Sequence, residues 1–401
     1  LHKEYRRQRQ MCIRDRPITD QNTLNDFYNK CKIEKVLAVD TEFIRDSTYY
    51  PSLCLIQIAG INFAAAIDPL AKLDMSPIWE LLLNKNILKV FHAGRQDIEI
   101  FFGLMGEIPT PIYDTQIAAM FCGLGDQVGY ESLVNNFLGL SVNKEHQFTN
   151  WLQRPLSKNQ INYAISDVTH LINIFPLIRK AIKDNNREEW VTKELEHLSK
   201  KELYKVKPDE VWKKIKLKNS NPQMLNLLKY LAYWRENECK KRNIPRNRLI
   251  RDDVLINISF SKPKTINELK KIRAIPKNLL NDDFCQILKV IDNAQKVKRE
   301  EWPLISTSTS PQISRSSLEL LKILLKYCSE ENGLAEKVIA NTDDLKSILE
   351  GQRKNMKVFT GWRNKIFGEM ALLLLNGKLA FKIEKGKIKK INMVLSILML
   401  K

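Results

Sequence analysis

Two carboxylates stand at the end of an apolar stretch that has the pattern of a β-strand. Residues 36–43 read Val-Leu-Ala-Val-Asp-Thr-Glu-Phe, which places Asp40 and Glu42 two residues apart. Side chains alternate along a strand, so we expect both carboxylates on one face. Carboxylates held close together repel each other unless a divalent cation or a hydrogen-bond network stabilises them. Taken alone, the pair fits either a metal site or an ordinary solvated turn.

Further acidic residues fall on two later elements. Asp97 comes at the start of a helical pattern over Gln96–Gly103, directly after an apolar strand pattern. Tyr163 and Asp167 are spaced i, i+4 within a long helical pattern, and this spacing puts both on one face. A Tyr–Asp pair of this kind is usually a surface contact. Together, however, four carboxylates from three elements could converge on a two-metal centre.

The elements that must position these side chains form a mixed sheet with helices. Strand patterns cover Val36–Phe43, Ser52–Ala59, Asn62–Ile67, Ile87–Phe91 and Ile112–Asp114, with Gly60 as a hairpin turn residue. Helical periodicity predicts helices over Asp20–Cys31, Pro77–Leu83, Gln96–Gly103, Thr115–Phe121, Tyr130–Phe137 and Lys158–Asp184.

Beyond Tyr204 the chain becomes basic and helical. Predicted helices cover Trp212–Lys216, Gln223–Arg242, a segment opening at Pro263, Ser316–Cys328, Gly333–Ala340, Thr342–Leu349 and Gly361–Leu375. A Ser/Thr-rich run at 306–311 is typical of a linker. A short hairpin is predicted over Leu379–Asn392, around Lys385 and Gly386.

The formal net charge of +19 is distributed unevenly. Residues 17–200 are mildly acidic, whereas residues 201–401 carry 42 basic against 22 acidic side chains. This asymmetry is expected if one half performs chemistry and the other binds a polyanion. A Lys-rich solubilising surface explains the same numbers, and the sequence does not choose between them.

Other classes of protein are disfavoured. The seven cysteines are scattered without a Cys-x-x-Cys pair, so neither a zinc site nor a disulfide framework is indicated, and a reducing compartment fits. No apolar run reaches the ~18 to 20 residues that a membrane span needs. Residues 1–16 have no signal-peptide core, and we interpret them as an artefactual leader, with a transit peptide as the alternative.

The acidic motifs resemble those of a known enzyme family. The segments Val-Asp-Thr-Glu-Phe (39–43), Phe-His-Ala-Gly-Arg-Gln-Asp-Ile-Glu-Ile-Phe (91–101), Tyr-Asp-Thr-Gln (113–116) and Asn-Tyr-Ala-Ile-Ser-Asp-Val (162–168) resemble the exonuclease motifs of the DEDDy 3′-to-5′ exonucleases, and in detail the ribonuclease D family. The resemblance implies an α/β nuclease domain with a ribonuclease-H-like mixed sheet, flanked by helices.

The resemblance also implies the role of each site residue. Asp40, Glu42, Asp97 and Asp167 are the expected ligands of two divalent ions, Mg²⁺ or Mn²⁺, with Asp40 bridging both. Tyr163 is expected to orient the attacking water without ionising, because an unperturbed tyrosine with a pKa near ~10 is a poor base at neutral pH. From the residues themselves, we interpret His92 as structural. Gln57 and Asp114 are read as packing or supporting positions.

The basic half resembles the all-α HRDC-type helical domains that follow the nuclease domain in the same family. The predicted organisation is a leader over 1–16, an exonuclease domain over 17–200, an HRDC domain over 204–295 and a second HRDC-like domain over 312–392.

The predicted function is that of a metal-dependent 3′-to-5′ exoribonuclease. The expected partners are tRNA precursors and other 3′-extended structured RNA, and the protein is expected to be a cytoplasmic monomer that does not contact a membrane. Two alternatives remain at this point: a DNA-directed exonuclease of the same superfamily, and a catalytically inactive RNA-binding scaffold. The presence of all five motif residues argues against the scaffold.

Overall fold

A five-stranded mixed sheet forms the centre of the first half of the protein. The computed structural model describes residues 16–142, 149–217, 221–303 and 313–393. The strands of the sheet are β1 Val36–Ile44, β2 Ser52–Ala59, β3 Ala64–Ile67, β4 Leu88–Phe91 and β5 Ile112–Asp114. They lie in the order β3-β2-β1-β4-β5, with β2 antiparallel to β1 and β3, and β4 parallel to β1 and β5.

Helices cover both faces of this sheet. They are α1 Gln21–Cys31, α2 Ser76–Leu83, α3 Arg95–Met105, α4 Thr115–Met120, α5 Tyr130–Leu138, α6 Lys158–Asp184 and α7 Glu188–Leu195. Val39 and Ile56 pack in one core with residues of α1, α2 and α3. Ala38 and Leu55 point to the other face and pack against α6. Both faces are therefore buried, and side-chain alternation along β1 decides which helix each residue meets.

Helix α6 crosses the three antiparallel strands and carries a long apolar stripe. Its start is fixed by a capping box, in which the Ser157 side chain accepts from the Gln160 backbone N–H and the Gln160 side chain accepts from the Ser157 backbone N–H. The stripe has helical spacing and consists of Ile161, Ala164, Ile165, Val168 and Leu171. The same periodicity fixes the rotation of the helix and hence where its polar residues point.

The second half contains two helical units. The first has its own core and consists of α8 Pro222–Arg242, α9 Arg246–Leu249, α10 Asp252–Ser261, α11 Ile266–Lys270 and α12 Asn281–Gln295. The second contains α13 Arg315–Asn332, α14 Glu336–Ile339, α15 Thr342–Leu349, α16 Gly361–Arg363, a π-helical turn at Asn364–Gly368 and α17 Glu369–Leu375. A hairpin follows, formed by β6 Leu379–Glu384 and β7 Lys387–Asn392.

The second helical unit packs directly on the sheet domain, and the two share one hydrophobic core. The rings of Trp190 on α7 and Trp362 on α16 stack with centroids 4.6 Å apart. The Arg187 guanidinium donates to the backbone carbonyls of Phe121, Asn332 and Gly333. One partly exposed side chain thus connects both units.

The structure confirms the mixed sheet and most of the predicted elements, including the full extent of α6 and the hairpin at Leu379–Asn392. It corrects the predicted helix at Trp212–Lys216, which is a 3₁₀ turn over Val211–Lys214. Helices α7, α10 and α12 were not predicted. The leader, except for Arg16, and the Ser/Thr-rich run lie outside the described residues. None of the helices in the described ranges is both long and apolar enough to cross a membrane.

The first helical unit contacts the sheet domain through the loop between β1 and β2. The Tyr49 hydroxyl donates to the carboxylate of Glu236, a fully buried residue of α8. Arg246 also binds this carboxylate, with Nη2 2.7 Å from Oε1, and its guanidinium lies 5.9 Å from the centre of the Tyr49 ring. The Tyr50 backbone N–H donates to the Asn243 side chain. Glu236 therefore holds the loop that follows the acidic strand.

Removing the cation from this junction should destabilise the helical unit. Arg246→Gln leaves Glu236 buried without its partner, and we expect the free energy of unfolding to fall by about 3 kcal/mol in urea titrations followed by tryptophan fluorescence. The double variant Arg246→Gln, Glu236→Gln should recover most of the free energy of unfolding that Arg246→Gln loses. Lys193→Gln breaks an exposed i, i+4 pair with Glu189 and should leave the free energy of unfolding nearly unchanged, because solvent screens such a pair. Equal effects of the two single substitutions would contradict a buried junction.

Candidate active site

Three carboxylates meet where β1 passes under α6. Asp40 and Glu42 alternate onto the α6 face of the strand, and Asp167 projects towards them from the helix. One oxygen from each of the three side chains lies within 4.8 Å of the other two. The structure therefore brings Asp40, Glu42 and Asp167 into one group, although Asp167 is 127 residues from Asp40 in the sequence.

Asp97 approaches from the other side of the same strand. It lies in the first turn of α3, where it is buried, and its Oδ1 accepts a hydrogen bond from the Thr41 hydroxyl. Thr41 stands between Asp40 and Glu42 and points to the opposite face, so it connects Asp97 to the acidic strand. Asp97 lies outside the group of three oxygens, but its charge acts on Asp40 and Glu42.

Burial raises the pKa of every carboxyl in this cluster, and the charges of neighbouring carboxylates raise those of Asp40 and Glu42 further. Burial, followed by the charges of Asp97, Asp167 and Glu42, raises the pKa of Asp40 well above its usual value. Burial and the charges of Asp167 and Asp97 raise the pKa of Glu42 to about 9. Burial raises the pKa of Asp97 to about 6 and that of Asp167 to about 7. Without a counter-charge the cluster holds protons at neutral pH.

The donor set fits a hard divalent cation. All the ligand atoms are carboxylate oxygens, which suit Mg²⁺ or Mn²⁺ better than softer metals. Asp167 Oδ1 is buried and has no hydrogen-bond partner among the described residues. A buried carboxylate oxygen without a donor is costly, and a bound cation would compensate for it.

Tyr163 lies one helical turn before Asp167, beside the cluster and half-buried. Burial, followed by the charges of Asp167, Glu42 and Asp40, raises the pKa of its hydroxyl. The phenol therefore stays protonated at neutral pH. This agrees with a role in orienting a water molecule through the neutral hydroxyl.

A turn held by Asp114 positions the start of α3. The Asp114 carboxylate accepts backbone N–H groups from Ala93, Gly94, Gln116 and Ile117, and so joins the end of β5 to the residues before α3. A Cβ added to Gly94 would lie 2.4 Å from the Cβ of Phe91, which requires glycine at this position. Asp97 owes its position to this turn.

Arg154 anchors the segment before α6 and was missed by sequence reasoning. Its guanidinium binds both carboxylate oxygens of Asp68, at 2.5 and 2.8 Å, and donates to the carbonyls of Cys54 and Trp151. The Trp151 ring packs 6.2 Å from the Tyr163 ring. The only feature of the sequence that could have indicated this anchor is an Arg-Pro pair shortly before the start of a helix. No neighbouring residue in the sequence indicates that Asp68 is its partner.

Two partly buried rings support the helix that carries Asp167. The Tyr130 hydroxyl donates to the backbone carbonyl of Asp167, a contact that was not predicted. Its ring packs 5.4 Å from His92, whose Nδ1 lies 3.0 Å from Thr115 Oγ1. Burial lowers the pKa of His92 to about 4, so the imidazole is neutral. This geometry agrees with the structural interpretation of His92.

Family models match both halves of the chain. A 3′-5′ exonuclease model matches residues 16–183, and an HRDC domain model matches residues 224–291. The second match falls inside the range predicted for an HRDC domain. The exact domain boundaries stay a prediction.

Similar proteins cover almost the full length of the chain. Ribonuclease D of Zymomonas mobilis is 42% identical over 380 residues, which cover 92% of this chain and 96% of the relative. Ribonuclease D of Sphingobium indicum is 39% identical and covers 93% of this chain. The crystal structure of Escherichia coli RNase D, described as an exoribonuclease involved in structured RNA processing, superimposes with a TM-score of 0.76 at 27% identity, covering 90% of this chain and 98% of that one.

The raised pKa values predict how metal-free stability changes with pH. Because these carboxyls have a higher pKa in the folded state than their unfolded values near ~4, their contribution is present at low pH and is lost as pH rises towards 9. We expect the melting temperature in EDTA to fall across this range, and to fall less for Glu42→Gln. Added Mg²⁺ should raise the melting temperature most at high pH.

The matched control is Glu202→Gln, which removes an exposed carboxylate on another element. Its melting temperature should follow that of the wild type at every pH. A Glu42→Gln profile parallel to the wild type would contradict the raised pKa of Glu42.

Proposed function

This chain belongs to the ribonuclease D family and is a 3′-to-5′ exoribonuclease, and on that premise we propose that it uses two divalent ions to trim 3′ extensions of structured RNA, with tRNA precursors as its main substrates. The observation that carries the proposal is the convergence of Asp40, Glu42 and Asp167 beneath α6. We further propose that it acts as a cytoplasmic monomer, and that residues 312–392 form a second HRDC-like domain.

The side chains of the cluster have separate roles in this proposal. Asp40 would hold both ions, Glu42 and Asp167 would complete the first site, and Asp97 would serve the second. When bound, the ions supply a water of lowered pKa and neutralise charge on the phosphoryl oxygens and the leaving alkoxide. The Tyr163 hydroxyl would orient the attacking water. Thr41 keeps the Asp97 carboxylate directed at the strand.

The helical half would hold the RNA through exposed cations. Several basic side chains of residues 201–401 are neutralised internally, since Arg242 binds Glu238 and Asp283, and Arg246 binds Glu236. Others are exposed and make no ion pair within the described part of the chain: Lys241, Arg248, Lys264, Lys271, Arg273, Lys277, Lys385, Lys387 and Lys390. These are the side chains we assign to phosphate contacts, which carry no sequence preference.

Substituting the central ligand should separate chemistry from binding. Asp40→Asn should lower Mg²⁺-dependent hydrolysis of a 3′-tailed tRNA by at least about 10³-fold, because it removes the shared ligand of the metal centre. Binding of the same RNA, measured by filter retention, should stay within about two-fold. Hydrolysis retained by Asp40→Asn would overturn the assignment.

The same assay identifies the substrate class. Wild-type activity on 3′-tailed RNA and DNA oligonucleotides of one sequence distinguishes an RNA-directed enzyme from a DNA-directed one, and equal or greater activity on DNA would contradict the proposal. Tyr163→Phe should also lower the rate, but metal binding should be unchanged because the hydroxyl is not a ligand. Absence of hydrolysis by the wild type on either polymer would favour an RNA-binding scaffold.

RNA binding should weaken steeply with salt. The dissociation constant should rise along a linear log–log plot, with a slope of about 0.7 to 0.9 for each phosphate contacted. The triple variant Lys271→Glu, Arg273→Glu, Lys277→Glu should bind RNA at least about ten-fold more weakly and show a shallower slope.

The control reverses three cations that already pair with a neighbouring carboxylate on their own helix, by Lys193→Glu, Lys322→Glu and Lys346→Glu. It changes net charge equally and should leave the slope nearly unchanged. Equal weakening by both triple variants would mean that net charge, and not this surface, controls binding.

A further inference from the structure

Gln57 is a fully buried polar residue in a strand that is otherwise apolar from Leu53 to Ala59. It lies in the middle of β2, on the face covered by α6. Neither its amide nitrogen nor its amide oxygen has a hydrogen-bond partner among the described residues. An apolar side chain of the same size would be more stable at this position, so packing does not explain an amide here.

The register of the sheet places this amide beside Asp40. Gln57 pairs with Asp40 on one side and with Ala66 on the other, all within antiparallel ladders. Directly opposed residues of antiparallel strands point to the same face, with Cβ atoms roughly 4.5–5.5 Å apart. Ala66 has only a methyl group as its side chain and cannot accept a hydrogen bond. The side chain across from Gln57 that can accept a hydrogen bond is thus the Asp40 carboxylate.

We propose that Gln57 is a positioning residue: when the cation is bound, its amide N–H, which has no partner among the described residues, donates to the Asp40 carboxylate and holds it in the orientation that binds the cation. Each carboxylate oxygen has two lone pairs, so an oxygen that binds a cation can still accept this hydrogen bond. Groups that orient a ligand in this way typically change metal affinity by about 10–100-fold when they are removed. The inference rests on the proposed metal-dependent function, since it concerns the ligand that both ions would share.

The test compares two substitutions on the same face of the same strand. Gln57→Met keeps the length of the side chain and removes the amide. Leu55→Met is the matched control, because Leu55 is fully buried and pairs with Glu42 just as Gln57 pairs with Asp40. Mn²⁺ binding is measured by calorimetry on the full-length protein, and melting temperatures are measured in EDTA.

We expect Gln57→Met to raise the dissociation constant for Mn²⁺ by about 10-fold or more, while Leu55→Met changes it less than about two-fold. In EDTA, Gln57→Met should melt at the same temperature as the wild type or higher, because the unpaired amide is gone. A purely structural residue would instead lower the melting temperature and leave metal affinity unchanged. At saturating metal, kcat on 3′-tailed RNA should fall with KM unchanged.

Unchanged Mn²⁺ affinity in Gln57→Met, or an equal loss in Leu55→Met, would overturn the inference. A wild type that binds Mn²⁺ without hydrolysing RNA would instead refute the proposed function, and calorimetry would still decide the role of Gln57. The two failures are therefore distinguishable.

Discussion

Mutual repulsion among buried carboxylates is the constraint on which the centre of this protein depends. Asp40, Glu42 and Asp167 are held close together by a strand and a helix that pack for other reasons, since apolar residues on both elements form the contact between them. The free energy gained when β1 and α6 pack together holds these charges close, although repulsion would otherwise separate them. Such an arrangement is stable at neutral pH only with protons or a cation. The fold therefore opposes this repulsion and keeps the three carboxylates together as a candidate site for the proposed divalent ions.

The surrounding polar contacts resist that repulsion from outside the cluster. Asp114 fixes the turn before α3 by accepting four backbone N–H groups, and the Tyr130 hydroxyl holds the backbone of α6 at Asp167. Arg154 binds Asp68 and the Cys54 carbonyl, next to the point where the pairing of β1 with β2 shifts after Glu42. These contacts leave the acidic side chains little freedom to move apart. Preorganisation of this kind is what a metal centre requires of its protein.

Local patterns were sufficient to predict the acidic strand and the helix opposite it, because alternation and the i, i+4 spacing act within a few residues. The rest depends on contacts between distant parts of the chain. The ion pair of Arg154 with Asp68 joins residues 86 apart, and the hydrogen bond from Thr41 to Asp97 joins residues 56 apart. Helix α7 was missed because it has only eight residues and its partners lie in two units: it contacts β5, α4 and α6 of the sheet domain, while Trp190 stacks on Trp362 of the second helical unit. Tertiary partners of this kind leave no periodic signal in a single sequence.

The number of basic residues in the sequence also overestimates how much positive charge is exposed on the surface, for a related physical reason. A cluster at 240–251 looks continuous in the sequence, yet Arg242 and Arg246 are directed at carboxylates within the helical unit. Buried carboxylates such as Glu236 need these cations, and a guanidinium that satisfies one has little capacity left for a phosphate. The Glu236 contact to Tyr49 puts this internal cluster against the loop that leaves the acidic strand. The positive charge of the second half is thus divided between internal ion pairs of the first helical unit and exposed side chains, most of which lie around α11 and in the hairpin of β6 and β7.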